Sequence, residues 1–319
     1  MRMKAITFKK NLQILDLDKP VPQENEALIR ISKAGICNTD LEITKGYMDY
    51  EGIPGHEFVG VVEEAPVTSI IGKRVAGEIN LGCGVCSFCL RGLSRHCLNR
   101  TVLGIAGKSG VFAEYVTLPV QNCHLLPDAI SDDAAVFIEP LAAAFEILEQ
   151  VHIKPLDKVL VLGDGKLGQL IAPVLSLAGC DVTVYGKHPF KLEKLKKYAV
   201  ETITHLDTHQ FYDVVVEATG STTGISLALS QLKSRGTLVL KTTTKENPNI
   251  PFSEIVVREI TLIGSRCGPF EPAIRALASG RIHVSDLITH RFSLDEGLKA
   301  FSAAVRKDAI KVILDVADI

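Results

Sequence analysis

The feature that most constrains the fold is a regular alternation of apolar strands and helical segments after Asp157. KVLVLG (158–163) predicts a buried strand, and GKLGQLIAPVLSLAG (165–179) predicts a helix that Pro173 would kink. DVTVYG (181–186) predicts a second strand, FKLEKLKKYA (190–199) a second helix, and YDVVVEATG, GTLVLKTT and ITLIGS further strands. Strands that alternate with helices predict a parallel sheet with right-handed crossovers.

The first turn of this region carries the pattern G-x-G-x-x-G at Gly163, Gly165 and Gly168. The motif follows a strand and opens a helix, which is the context in which it binds a dinucleotide. Gly163 permits a tight turn, Gly165 lets the backbone approach a pyrophosphate, and Gly168 lets the helix pack closely. The alternative is a glycine-rich turn of any α/β protein. We assign the whole loop to cofactor binding, and its other members are Asp164, Lys166 and Leu167.

The acid expected about twenty residues further on, which would bind the adenosine ribose hydroxyls, is missing. The second strand ends before Gly186, Lys187 and His188, whereas Asp181 stands at the opposite end of that strand. Gly186 leaves room and the two basic residues offer positive charge to a 2′-phosphate, so we expect NADP to be favoured over NAD. The alternative is that these are ordinary solvated loop residues.

Residues 1 to about 127 consist of short apolar runs broken by Gly and Pro, which predict an antiparallel, barrel-like β domain. A helical pattern begins near Ser131, a plausible N-cap followed by acids. The segments EPAIRALASG and LDEGLKAFSAAVRKD predict helices, and KVILDV predicts a closing strand. A chain of 319 residues is long enough for two domains.

Four of the eight cysteines lie in GCGVCSFCLRGLSRHC, with the spacing C-x2-C-x2-C-x7-C. Cys83, Cys86, Cys89 and Cys97 predict a structural zinc site, because four thiolates close a tetrahedron around one ion. The alternatives are two disulfides or unrelated buried thiols, and cysteines three residues apart rarely pair comfortably.

The remaining bulk properties exclude several classes of partner. The net charge is −2 and the pI is near 6.5, without a basic stripe, so no nucleic-acid partner is expected. We find neither a run of about 18 apolar residues nor a signal peptide. The expected protein therefore has no membrane partner and a cytoplasmic location.

The motifs GICNTD, GHEFVG, the four-cysteine loop, IEP, VLGDGKLG and LITHRFSLDEGLKAF occur in an order that resembles the medium-chain zinc-containing dehydrogenases. The resemblance covers essentially the whole chain and is strongest to the polyol, threonine and archaeal sugar dehydrogenases. It implies a GroES-like catalytic domain of residues 1–139 and 266–319 and a Rossmann cofactor domain of residues 140–265. The active cleft would lie between them.

The resemblance also implies a second, catalytic zinc. Cys37 and His56 match catalytic ligands, and Glu139 matches a position that is glutamate in polyol-type members. Glu57 follows His56 and would be either a ligand or a neighbour that orients one. Thr39 matches the residue that takes the alcohol proton. The implied cofactors are therefore two zinc ions per subunit and NAD(P).

Three departures from the family pattern stand out. Asn38 replaces a pyrophosphate-binding arginine, and Glu42 replaces the final histidine of a proton relay, where it would accept a proton or be solvated. The chain is also short between the GHE motif and the cysteine loop. Arg266 lies where the chain should return to the catalytic domain, and it would contact the cofactor or lie on the surface.

The expected reaction is the reversible oxidation of a small-molecule alcohol, polyol or sugar. One alternative is a quinone or enoyl reductase of the zinc-free branch, which generally lacks the cysteine loop. Another is a zinc- and cofactor-binding protein without dehydrogenase activity. The family suggests a homodimer or a homotetramer, and no feature of this sequence decides between them.

Overall fold

The computed structural model describes residues 1–243 and 249–317. The chain forms two structural units, Met1–Glu139 together with the chain from Ala273 onward, and Pro140–Pro272. The domain ranges expected from the sequence, 1–139 with 266–319 and 140–265, stay a prediction. The first unit is therefore assembled from both ends of the chain.

The first unit is built mainly from β-strands whose short, apolar segments pair across the chain. Its strands are β1 (Arg2–Phe8), β2 (Leu12–Asp18), β3 (Glu26–Ile36), β4 (Glu57–Glu64), β5 (Arg74–Gly77), β6 (Asn80–Leu81), β7 (Thr101–Leu103), β8 (Gly107–Lys108), β9 (Tyr115–Pro119), β10 (Cys123–Leu125), β17 (Ile288–Ser293) and β18 (Lys311–Asp315). Its helices are α1 (Asn38–Ile43), α2 (Ser87–Leu90), α3 (Asp132–Ala135) and α10 (Gly297–Ala304).

The long strand β3 organises this unit. The main sheet has the order β10-β5-β4-β3-β18-β17, and β9 also pairs with β3. The pairs around β3 are antiparallel, as the sequence predicted for this region. Because β18 lies between β3 and β17, the last described strand of the chain completes the sheet that the first strands begin.

The second unit contains the six-stranded sheet that the alternating pattern predicts. Its strands are β11 (Lys158–Leu162), β12 (Asp181–Tyr185), β13 (Val200–Ile203), β14 (Tyr212–Glu217), β15 (Leu232–Leu240) and β16 (Thr261–Gly264). They are all parallel and have the order β13-β12-β11-β14-β15-β16. The order reverses between β11 and β14, and ligands of such sheets bind at the carboxyl ends of the strands at this reversal.

The helices of this region are α5 (Gly168–Ser176), α6 (Pro189–Glu193), α7 (Gly224–Ser230) and α8 (Phe252–Val257). Two more, α4 (Ile138–Gln150) and α9 (Phe270–Ala278), run across the unit boundaries. Helix α5 carries Pro173 in its interior and continues to Ser176. Helix α6 is shorter than the sequence predicted, because it ends at Glu193.

Ser131 caps α3 as expected, since its hydroxyl accepts a hydrogen bond of 3.3 Å from the amide of Ala134. Within residues 1–243 and 249–317, the helices are all too short or too polar to cross a membrane.

Candidate metal and cofactor sites

The four cysteines of the loop converge on one point. The sulfurs of Cys83, Cys86, Cys89 and Cys97 all lie within 4.8 Å of one another, and all four are free thiols. Cys86 Sγ is 3.6 Å from Cys89 Sγ and 3.7 Å from Cys97 Sγ. A tetrahedral ion with zinc–sulfur bonds of about 2.3 Å separates its sulfurs by about 3.8 Å. The cluster therefore fits zinc with all four positions filled by protein.

The surroundings of the loop favour the thiolate at Cys83 and Cys86 but not at Cys89, where burial raises the pKa to about 11. Amides of Val85 and Cys86 donate to the sulfur of Cys83 and lower its pKa to about 6. Cys97, the last of the four, is fully buried. Because zinc binds the thiolate and not the thiol, the lowered pKa of Cys83 suits metal binding at that position.

A second group of metal-binding side chains lies at the adjoining ends of β3 and β4. Cys37 follows β3, His56 directly precedes β4, and Glu57 is its first residue. One ligand atom of each lies within 4.8 Å of those of the other two. Antiparallel pairing of β3 with β4, which sets Gly35 opposite Glu57, brings these distant parts of the sequence together.

Asp40, on α1, contacts two members of this group, Cys37 and His56. Its carboxylate is fully buried and accepts hydrogen bonds from the amides of Cys37, at 2.8 Å, and Gly55, at 3.2 Å. His56 Nδ1 lies 3.3 Å from Asp40 Oδ1. Burial alone would lower the pKa of His56, but the buried carboxylate outweighs it and raises that pKa well above its ordinary value. The pocket therefore favours positive charge, as a cation site should.

Glu57 has a strong partner of its own. Its carboxylate forms an ion pair with Lys311 of β18, and both side chains are almost completely buried. The ammonium group also lies 5.2 Å from the centre of the Phe137 ring. Lys311 therefore balances the charge of Glu57 and restricts where that carboxylate can point.

The other expected catalytic residues lie on α1 and α4. Thr39 Oγ1 is 3.8 Å from Cys37 Sγ, so its hydroxyl adjoins the metal-binding group. Glu42 instead forms an ion pair of 2.8 Å with Lys45, in the turn that follows α1. Glu139 is half-buried at the second position of α4 and is outside the Cys37, His56 and Glu57 group.

The glycine loop has the shape that a dinucleotide needs. Gly163 has a φ of +119°, and a side chain there would collide with the carbonyl of Ala218. A Cβ at Gly168 would lie 1.9 Å from the carbonyl oxygen of Gly163, so this glycine lets α5 pack against the loop itself. A Cβ at Gly165 would meet nothing within 4 Å. Open space beside the loop and the start of α5 suits an anionic pyrophosphate.

The segment after β12 lies beside this loop. Lys187 is exposed, and His188 is held by the carboxylate of Asp164 through its backbone amide at 2.7 Å. At the carboxyl edge of the sheet, buried Lys241 donates to the backbone oxygen of Arg266 at 2.9 Å and to Ser265 Oγ at 3.1 Å. This contact fixes the main chain at Arg266.

Sequence reasoning missed three supporting contacts: Asp40 to His56, Lys311 to Glu57, and Asp164 to His188. Asp40 ends the GICNTD motif and so lies three residues from Cys37 in the sequence. The other two pairs join positions 254 and 24 residues apart, for which no local pattern exists.

Fold and sites together define a protein that binds zinc and a dinucleotide. Residues 23–128 match the family described as alcohol dehydrogenase GroES-like domain, and residues 132–316 match the glucose dehydrogenase C-terminus. A sorbitol dehydrogenase from Halalkalibacterium halodurans is 30% identical over 325 residues, which cover 94% of each chain.

Two solved structures share the fold over nearly the full length. A zinc-binding dehydrogenase from Sinorhizobium meliloti 1021, bound to NADP, is 28% identical with a TM-score of 0.90 and covers 99% of both chains. An alcohol dehydrogenase from E. coli CFT073, complexed with NADH, is 27% identical with a TM-score of 0.90. It covers 98% of this chain and 99% of its own.

The chain therefore belongs to the superfamily of medium-chain, zinc-containing alcohol and polyol dehydrogenases. It is a zinc-dependent oxidoreductase that transfers a hydride between a hydroxyl-bearing carbon and NAD(P). The expected GroES-like and Rossmann folds are confirmed.

Proposed function

We propose that the substrate is a polyol or a sugar and that its hydroxyl reacts beside Cys37, His56 and Thr39. The observation that carries this proposal is the group of Cys37, His56 and Glu57 within 4.8 Å, backed by buried Asp40. The sugar and polyol names of the matching family and relative support the substrate class. Glu139 supports it by analogy with polyol-type members of the superfamily.

Each of these residues has its own role in the proposed reaction. Cys37 and His56 would hold the ion with a carboxylate from Glu57 or Glu139, and Asp40 would keep His56 oriented. When bound there, zinc supplies the Lewis acidity that lowers the pKa of an alcohol. The hydroxyl of Thr39 would accept the proton that the substrate loses and pass its own proton on through the nicotinamide ribose. The glycine loop would hold the dinucleotide, which would supply the hydride acceptor.

Zinc content and a substrate panel test this proposal together. We expect two zinc ions per chain and turnover of polyols or aldoses that exceeds turnover of simple alcohols. Zinc content of Glu57→Gln and Glu139→Gln identifies the third ligand, because loss of that ligand should remove about one ion. Activity confined to simple primary alcohols would contradict the substrate class.

NADP is the cofactor that this chain binds more tightly. Gly186 stands where an acid would bind the ribose hydroxyls, and exposed Lys187 with half-buried His188 supplies positive charge. Titration of both cofactors, followed by their fluorescence, tests the preference. Equal or tighter binding of NAD would contradict it.

We further propose that the enzyme works in the cytoplasm as a homodimer or homotetramer. Dimers and tetramers are usual in the superfamily. Light scattering on the purified protein gives the assembly directly, and a monomeric mass would contradict it.

A further inference from the structure

A buried carboxylate from the glycine loop lies at the place from which the ribose-binding acid is missing. A Cβ at Gly186 would lie 2.5 Å from Asp164 Oδ2, so only glycine at position 186 leaves room for this carboxylate. Asp164 is 7% exposed. The chain has therefore placed an acid here, but it comes from the phosphate loop and not from the end of β12.

This carboxylate is already engaged by His188. Oδ2 accepts a hydrogen bond of 2.7 Å from the backbone amide of His188, and Nδ1 of the ring lies 3.1 Å from both oxygens. The His188 side chain is 34% exposed. With Nδ1 directed to Asp164, Nε2 is the ring nitrogen left for a ligand.

A second tie joins the same two loops independently of this pair. Gln169 of α5 is buried, and its Nε2 donates to the carbonyl of Asp164 at 3.3 Å and to the carbonyl of Lys191 at 2.9 Å. Because Gln169 links the two segments through their backbones, the loops do not depend on the Asp164 side chain alone. The Asp164 side chain can therefore orient His188 without being needed to join the two loops.

We propose that Asp164 is a positioning residue that fixes the His188 ring for the 2′-phosphate of the cofactor. The inference rests on the proposed preference for NADP. It explains how a site that contains an acid can still prefer NADP. A free carboxylate at this place would accept a hydrogen bond from the 2′-hydroxyl of NAD and would repel a phosphate. Here both oxygens of the Asp164 carboxylate contact His188. The His188 ring and Lys187 then supply the positive charge for the phosphate.

Two adenosine probes, 2′,5′-ADP and 5′-AMP, isolate this contact from the catalytic metal. We expect wild type to bind 2′,5′-ADP more tightly by calorimetry. Asp164→Asn should weaken the binding of 2′,5′-ADP about tenfold, which corresponds to about 1.4 kcal/mol. It should leave the affinity for 5′-AMP nearly unchanged. His188→Gln should do the same, and adding Asp164→Asn to it should cause no further loss.

Asp213→Asn is a matched control in the same unit. Asp213 also accepts from a backbone amide, that of Lys158 at 2.9 Å, and from a side chain, that of Lys233 at 2.8 Å. It lies at the amino ends of the strands, away from the glycine loop, so both affinities should stay the same. Nitrogen-15 spectra of the His188 ring should change in Asp164→Asn and not in this control.

The outcomes separate the two proposals. If wild type prefers 5′-AMP, or binds both probes equally, the NADP preference and the role of Asp164 both fail. If wild type discriminates but Asp164→Asn keeps the same ratio and ring spectrum, only the role of Asp164 fails. If Asp164→Asn selectively lost affinity for 5′-AMP, or gained affinity for 2′,5′-ADP, the carboxylate would bind the ribose instead. Should Asp164→Asn not fold, an unchanged ratio in His188→Gln overturns the inference.

Discussion

At the scale of single residues, the ion pair of Glu57 and Lys311 is the most consequential contact beside the metal-binding group. Both side chains are at most 2% exposed, so neither charge can turn to water. A buried charge that loses its partner keeps the full cost of desolvation, even where the intact pair contributes little. We therefore expect the pair to be far more sensitive to removal of one partner than to replacement of both.

Lys311→Met should lower the free energy of unfolding by about 3–5 kcal/mol, because it leaves the Glu57 carboxylate buried and unpaired. Adding Glu57→Gln should recover much of the loss. Urea unfolding measures both changes. Lys299→Met is a matched control, since Lys299 pairs with Glu296 in solvent, and it should have no measurable effect. Equal loss in the single and double variants would show that the pair is not the cause.

At the scale of elements, the cysteine loop has almost no core of its own. Its helix α2 has four residues, and the apolar side chains of Val85, Leu90 and Leu98 are mostly exposed. With so little buried apolar surface, we expect a metal bound by the four cysteines to hold this loop together. Cys37 is different, because it lies between β3 and α1 and its amide is fixed by Asp40.

Cys89→Ser should therefore lower thermal stability and zinc content together, whereas Cys37→Ser should abolish turnover with little change in melting temperature. Removing one thiolate from a saturated tetrahedral site weakens metal binding that contributes directly to folding. Differential scanning calorimetry, zinc analysis and assays on the same preparations separate the two roles. If both variants lost the same stability, the division into structural and catalytic sites would be wrong.

The elements show where local sequence patterns are sufficient. The parallel sheet and the start of α3 at Ser131 follow from periodicity and capping, which are local properties. Strand β13 was not predicted, because Val200–Ile203 is short and has no fully buried residue. Helix α6 was predicted too long, since FKLEKLKKYA has helix-forming residues throughout and carries no local signal for an end at Glu193.

At the scale of the whole molecule, the chain closes the first unit with its own C-terminal segment. Strand β18 pairs with β3 across almost the full length of the sequence, and Arg291 of β17 reaches Asp133 of α3. Such pairings carry no local signal, so only the resemblance to a known family placed residues after 266 in the catalytic domain. The candidate ligands Cys37 and His56 were likewise suggested by family motifs, whereas the contacts of Asp40 with His56 and of Lys311 with Glu57 needed the fold.

The contact between Asp133 and Arg291 predicts how stability depends on pH. Both carboxylate oxygens bind the guanidinium, and Lys33 Nζ lies 3.5 Å away. Arg291 thereby holds the pKa of Asp133 below its ordinary value of 3.8. A depressed carboxyl pKa stabilises the fold above the unfolded value, and this stabilisation is lost as the pH falls through the folded value.

Asp133→Asn should consequently cost about 1 kcal/mol at pH 7, a value that allows for partial exposure of the pair. The difference from wild type should shrink as the pH falls through 4 towards 3. Urea unfolding of both proteins across this range gives the difference directly. Loss of zinc in acid affects both proteins alike, so it does not imitate the effect. A difference that stays constant from pH 7 to 3 would mean that Asp133 acts through packing and not through its charge.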